Sequence, residues 1–172
     1  MKYVKSYNTL AEFGHALLNN TSIERGLPMI SQYAKDLISA ERCTIYIYSR
    51  KKEMVWTTLS DGIEKLVLPA NKGIVGLTVK SKNALIENDP YNNSSFNPSI
   101  DHSTGYITRN IATTPIFNSS RSLIGVIQLL NKRSGGFDEE DIKFLTFFSH
   151  YISGYLELAI IFRDDDDLEL SH

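Results

Sequence analysis

Tyr3, Tyr7, Leu10, Gly14 and Leu17 recur at spacings of four, three, four and three, which is one narrow face of a helix with seam-like periodicity. Asn19 and Asn20 end it. The run from Thr21 to Glu24, Thr-Ser-Ile-Glu, predicts a capping box at the start of a second helix. That helix takes its apolar face from Ile23, Leu27, Ile30, Ala34 and Leu37, and Pro28 is expected to kink it or to restart it at a first-turn position.

The pattern then changes to β-branched and aromatic residues. Arg42–Arg50 and Glu53–Ser60 predict a hairpin around Arg50-Lys51-Lys52, followed by a short strand over 65–68. The stretch NKGIVGLTVKSKN predicts a turn and a short helix, and residues 84–87 another short strand. From Asn88 to Asn110 periodicity is weak and Asn, Ser, Asp and Pro are frequent, so this long connection is expected to carry function. Two more strands are predicted over 111–117 and 122–130. The second, LIGVIQLL, is nearly continuous in apolar residues, as expected of a central strand covered on both faces.

A final helix is predicted from Asp138 to about Phe162 with two adjacent stripes. Phe144, Phe148, Tyr151, Tyr155, Leu158 and Phe162 form one; Ile142, Leu145, Ser149, Ile152, Leu156 and Ala159 form the other. One stripe suffices to cover a sheet, so the other is expected to meet a helix. That helix is either the first of the same chain, giving a thick single-chain core, or the equivalent helix of a second copy. The seam at Phe148, Tyr151, Tyr155 and Leu158 is taken here as a homodimer interface.

At 172 residues with 42% hydrophobic and 22% charged content, the chain predicts one soluble domain. Its parts are an N-terminal helix over 1–20, a domain over 21–163 that includes the long last helix, and an acidic tail over 164–172. No signal peptide or membrane span is expected. The single cysteine, Cys43, excludes an internal disulfide and a Cys-rich zinc site, and fits a cytoplasmic protein. Charge is split: residues 1–137 hold 16 Lys and Arg against 10 Asp and Glu, and residues 138–172 hold 2 against 10. The basic residues are scattered rather than striped, which favours a small anionic ligand over a nucleic acid.

The segment VIQLLNKRSGGFDEED, residues 126–141, raises the question of chemistry. Its glycines are no phosphate loop, because the lysine precedes them. Its four consecutive acids point about 100° apart on a helix and do not converge on one metal. A structural account fits instead. Asp138 is a helix N-cap, Glu139, Glu140 and Asp141 complement the helix dipole, and Phe137 with Ile142 is spaced as a hydrophobic staple. Lys132 is expected to reach Asp141 and tie strand exit to helix start, as an exposed pair worth about 0–1 kcal/mol.

The same segment resembles the Asn-Lys-Phe-Asp-Glu signature of GAF domains in cyclic-nucleotide phosphodiesterases and some adenylate cyclases, through Asn131, Lys132, Phe137 and Asp141. The signature's final Glu falls at Ile142. Residues 71–116 resemble that subfamily too, with Gly-Ile-x-Gly, then Phe-Asn, then Asp-x-x-Thr-Gly-Tyr-x-Thr-Arg, then Pro-hydrophobic. The resemblance spans about 23–162. It implies an α+β fold of the GAF type, related to PAS and profilin folds: an antiparallel sheet of about six strands, helices on both faces, and N- and C-terminal helices packed together.

Carried over by position, the resemblance implies ligand contacts at Thr44, Asp61, Ile74, Val75, Tyr91, Thr104, Thr108 and Gln128. Ser60 stands where good nucleotide binders have an aromatic residue. Hydroxyls and backbone N–H groups suit a cyclic phosphate. The expected function is a regulatory, ligand-sensing module in signal transduction. It binds a cyclic nucleotide or another small anion, forms a homodimer through its terminal helices, and serves an output domain in a longer protein. The alternative is a ligand-free dimerisation module. No cofactor, metal, nucleic acid or membrane partner is expected. Nor is catalysis, because one cysteine cannot run the disulfide cycle of GAF-type sulfoxide reductases.

Overall fold

Alternation along two strands organises the molecule. In β1 (Ala40–Ser49) Cys43, Ile45 and Ile47 join the larger apolar core, while Tyr46 belongs to a smaller one on the opposite face. In β6 (Leu123–Lys132) Ile127 and Leu129 face the larger core and Val126 the smaller. A pleated strand sends neighbours to opposite faces, so each strand feeds two apolar layers. The near-continuous apolar run of β6 follows from this double burial.

The computed structural model describes residues 9–19, 22–57 and 66–169, without the side chains of 23, 24 and 162–169. Helices α1 (Leu10–Leu18) and α2 (Ile23–Ile38) precede β1, β2 (Met54–Thr57) and β3 (Leu66–Pro69). Helix α3 (Gly73–Ser81), β4 (Leu85–Glu87), a 3-10 turn at Pro90–Asn92 and the short α4 (Ser99–Thr104) lead to β5 (Ile111–Phe117) and β6. Helix α5 (Glu139–Glu169) ends the described chain. The six strands form one antiparallel sheet in the order β3-β2-β1-β6-β5-β4. Its type, α+β with helices on both faces, is the expected one.

The larger core is built from the α2 residues Leu27, Ile30, Ala34 and Ile38 and the α5 residues Phe144, Leu145, Phe148, Ile152 and Leu156, all at most 1–2% exposed. Residues 139–161 of α5 are long and apolar enough to span a bilayer by length and composition. The core contacts account for part of that apolar content, 39% of the stretch being buried. Helix α2 runs unbroken through Pro28 and starts after Ser22, whose side chain makes no capping bond. The expected box rests on Thr21 and the Glu24 side chain, which, like Tyr3 and Tyr7, lie outside the described residues. Helix α5 continues past Phe162, so residues 164–169 of the expected tail are helical.

The expected dimer seam divides. Phe148 is fully buried in its own chain, tilted 5.8 Å from Phe13 and 5.6 Å from Tyr33 between ring centroids. The Tyr155 hydroxyl donates to the Ser22 carbonyl (3.1 Å) and that of Tyr151 to the Leu10 carbonyl (2.6 Å). A Cβ on Gly14 would lie 2.3 Å from the Tyr151 hydroxyl, and one on Gly26 1.7 Å from that of Tyr155. Helices α1 and α2 of the same chain therefore cover Phe148 and engage the Tyr151 and Tyr155 hydroxyls, while Leu158 is left open. The exposed apolar stripe keeps Tyr151 and Leu158 of the expected seam and adds Phe147 and Ile161, all 40–55% exposed.

At the end of β6, Lys132 and Asp141 form an ion pair of 2.7 Å that is buried, not exposed as expected, their side chains 9% and 1% exposed. Asp138 Oδ1 accepts from the Asp141 N–H (2.9 Å) and Asp141 Oδ2 from the Asp138 N–H (3.1 Å), a reciprocal capping box at the head of α5. Removing one partner of such a pair strands a charge. Lys132→Met is expected to lower unfolding free energy by roughly 3–5 kcal/mol in urea titration, and Lys132→Met with Asp141→Leu to recover most of that loss.

Candidate functional site

On the α3 face of the sheet, opposite the larger core, lies a cleft of about 760 Å³. Part of it is continuous with solvent, and about 80 Å³ is open to the centre of a water molecule. Its floor is the sheet: Arg42, Thr44 and Tyr46 of β1, Gln128 and Leu130 of β6, and Ile111 of β5. Period-two alternation puts Arg42, Thr44 and Tyr46 on one face together. The register pairs Thr44 with Gln128 and Gln128 with Thr113, a polar row across the three central strands. Thr113 continues it to Thr78 of α3 through a 2.6 Å hydroxyl contact.

The wall is the first turn of α3, with Lys72, Gly73, Ile74 and Val75 on the cleft. Gly73 starts the helix at φ +67°, and a Cβ on Gly76 would lie 2.6 Å from the Asn71 backbone, so the Gly-Ile-x-Gly pattern sets both the turn and the tight seat of the helix. The helix's own ladder begins with Gly76 N–H to the Lys72 carbonyl. The N–H groups of Gly73, Ile74 and Val75 precede it, at the positive end of the helix. With Lys72 in the same turn and Arg42 also lining the cleft, the site suits an anion.

The lid is the connection between β4 and β5. Asp101, 7% exposed, accepts from the Thr108 N–H (2.7 Å), the Thr108 hydroxyl (2.8 Å) and the Tyr91 hydroxyl (2.8 Å). Tyr106 lies under the Arg42 guanidinium, whose carbon is 3.6 Å from the ring centroid, and donates to Glu41 (3.0 Å). Burial first, then Glu41, pushes the Tyr106 hydroxyl well above its ordinary range. Arg109 also bonds Glu41, and that contact is the main cause holding the Glu41 carboxyl below its usual value. Asn131 closes the set: its amide donates to the Ile107 carbonyl (2.9 Å) and accepts from the Arg109 N–H (2.6 Å).

Of the expected ligand residues, Thr44, Ile74, Val75, Thr108 and Gln128 come together on the cleft. Tyr91 and Thr104 are not among its lining residues. Tyr91 is 51% exposed and reaches the lid only through Asp101, and the Thr104 hydroxyl is turned back to the Ile100 carbonyl (2.8 Å). Asp61, with Ser60, lies outside the described residues. Sequence reasoning missed Arg42, Lys72, Asp101 and Tyr106. Asp101 and Tyr106 stand within the Asp-x-x-Thr-Gly-Tyr motif, and Arg42 has the parity of Thr44 along β1.

Burial pushes the Tyr46 hydroxyl up to about 12, moderated by a hydrogen bond with Gln128. The protonated form is favoured in the fold, so this contribution is complete below the unfolded value near 10 and is lost as pH rises through about 12, a difference of roughly 2–3 kcal/mol. Denaturant titration at intervals across that window should show a stability decline that is less steep in Tyr46→Phe.

The chain matches the model of the GAF domain over residues 22–156. It is 35% identical over 107 residues to the cGMP-specific 3',5'-cyclic phosphodiesterase of Drosophila erecta, covering 53% of this chain and 10% of that one. To the Drosophila melanogaster enzyme of the same name it is 35% identical over 102 residues, 53% of this chain and 9% of that one. It thus spans about a tenth of the length of these relatives. The GAF domain from an Acinetobacter phosphoenolpyruvate-protein phosphotransferase superposes with a TM-score of 0.76 at 18% identity, covering 92% of this chain and 96% of that one. The free methionine-R-sulfoxide reductase from Neisseria meningitidis gives 0.69 at 15%, covering 88% and 87%. At these identities the solved structures share the fold. The family match is independent of them: the chain belongs to the GAF domain family.

Proposed function

We propose that this domain is a cytoplasmic regulatory module that senses a cyclic nucleotide and serves an output domain in a longer protein. The observation that carries the reading is the cleft itself, where the positive end of α3, Arg42 and Lys72 surround a polar floor at Thr44 and Gln128. A cyclic phosphate would sit at the α3 corner, accepting from backbone N–H groups. The base would lie over the floor, with Gln128 and Thr44 offering both donors and acceptors. The lid residues Thr108 and Asp101 would close behind it. The likeness to phosphodiesterases named for cGMP favours this ligand class.

Catalysis of the sulfoxide-reductase kind is disfavoured by the position of Cys43. It is 1% exposed and packed in the larger core, on the face of the sheet away from the cleft. Calorimetric titration with cAMP and cGMP tests the proposal, and silence at millimolar ligand removes it. Where heat is released, Thr108→Val and Asp61→Ala should each weaken binding by roughly 1–3 kcal/mol through lost buried hydrogen bonds.

A ligand-free dimerisation module is the alternative, and homodimerisation can also accompany sensing. The exposed stripe of Phe147, Tyr151, Leu158 and Ile161 favours pairing between copies. Leu158→Glu should then halve the mass seen by light scattering without loss of helicity, and an unchanged mass would count against the stripe.

A further inference from the structure

A second cleft, of about 330 Å³, opens at the other end of the sheet from the Lys132–Asp141 pair, on the same face as α3. Three elements meet there: Arg50 from the β1–β2 turn, Lys82 at the C-terminal cap of α3, and Arg121 from the β5–β6 turn, over an apolar base of Tyr48, Val79 and Leu123. All three cations are exposed, and no acid lines the cleft. Among the described residues none of the three has an ion-pair partner. Lys82 (φ +57°) and Arg121 (φ +61°) hold left-handed backbone conformations in which glycine or asparagine costs less. Lys51, Lys52 and Lys80 flank the site in sequence.

Like charges gathered from separate elements repel one another and favour an anionic partner. The same end of the molecule is where α5 leaves the domain. Glu157 of α5 accepts from the Ser119 N–H (3.1 Å) and hydroxyl (2.8 Å) in the β5–β6 turn, the turn that carries Arg121. From Glu157 the helix runs on to Glu169, about 18 Å at 1.5 Å per residue. This extension contains Asp164, Asp165, Asp166, Asp167 and Glu169. Helix α5 packs on the sheet face opposite α3, and as a continuous helix it does not turn back over the sheet end into its own chain's cleft.

We infer that the basic cleft of Arg50, Lys82 and Arg121 receives the acidic end of α5 from a second copy of the chain. The charge division, +6 for residues 1–137 and −8 for 138–172, makes the two surfaces complementary between copies. This contact is electrostatic and separate from the apolar stripe, so the two are distinguished by salt.

The test is sedimentation of the full chain between about 0.05 and 0.5 M NaCl. Self-association should weaken about tenfold or more across that range. Arg50→Glu, Lys82→Glu and Arg121→Glu together should abolish the salt-sensitive part, and so should lysine at all four of Asp164–Asp167. Combining both sets in one chain should restore it, which no misfolded variant would do. An association insensitive to the cleft charges, or a double set that stays apart, overturns the inference. So does a cleft variant that loses binding to phosphatidylserine vesicles while its self-association is unchanged, since the partner would then be a lipid surface.

Discussion

Two adjacent residues at the end of β6 carry a disproportionate share of the architecture. Asn131 is fully buried at φ +57°, and its amide meets the lid at Ile107 and Arg109 and the side chain of Glu41. Lys132, the next residue, carries a charge into the interior and meets Asp141 there. A buried charge is tolerable only while paired, so the first turn of α5 has little freedom to depart from the strand. Asn110 adds to the knot: its side-chain oxygen accepts from the Lys132 N–H (2.7 Å), and its carbonyl from the Asn131 N–H (2.9 Å). Lid, central strand and long helix are thus fastened within a few residues of one another.

The sheet divides the labour of the fold. Its α5 face is apolar and carries the larger core, which leaves the α3 face able to hold polar residues without forfeiting stability. The Thr44–Gln128–Thr113 row uses that freedom. Thr113 meets the Thr78 hydroxyl and Gln128 that of Tyr46, so the cost of burying these polar side chains is offset locally. A binding cleft on this face can vary in chemistry while the opposite face keeps the strands in register.

How far the sequence could reveal this depended on the kind of signal. The strand over 42–50, the continuous run in β6 and the spacing that brings Lys132 to Asp141 are local patterns, and the structure contains all three, although the burial of that pair was not legible locally. The seam on α5 was not decided locally. Both stripes are apolar, and only the positions of α1 and α2 determine that Phe148 is buried while Leu158, on the same stripe, is exposed. Thr104 was misplaced for a related reason: its motif position is right for the lid, but a short helix offers its hydroxyl the Ile100 carbonyl instead. Asp101 escaped notice because its partners, Tyr91 and Thr108, are brought to it by the course of the loop. The capping box escaped because aspartate, not glutamate, stands at its third position.

The two glycines under the tyrosine hydroxyls have a mechanical consequence. Gly14 and Gly26 leave hollows on separate helices, and α5 fills both with rigid aromatic pegs, each ending in a hydrogen bond to a backbone carbonyl. A slide of α5 by a single residue, about 1.5 Å, would drive both pegs against backbone and break both bonds. The three helices therefore behave as a keyed shaft: axial motion or rotation imposed at one end of α5 is transmitted to α1 and α2 together, without slip.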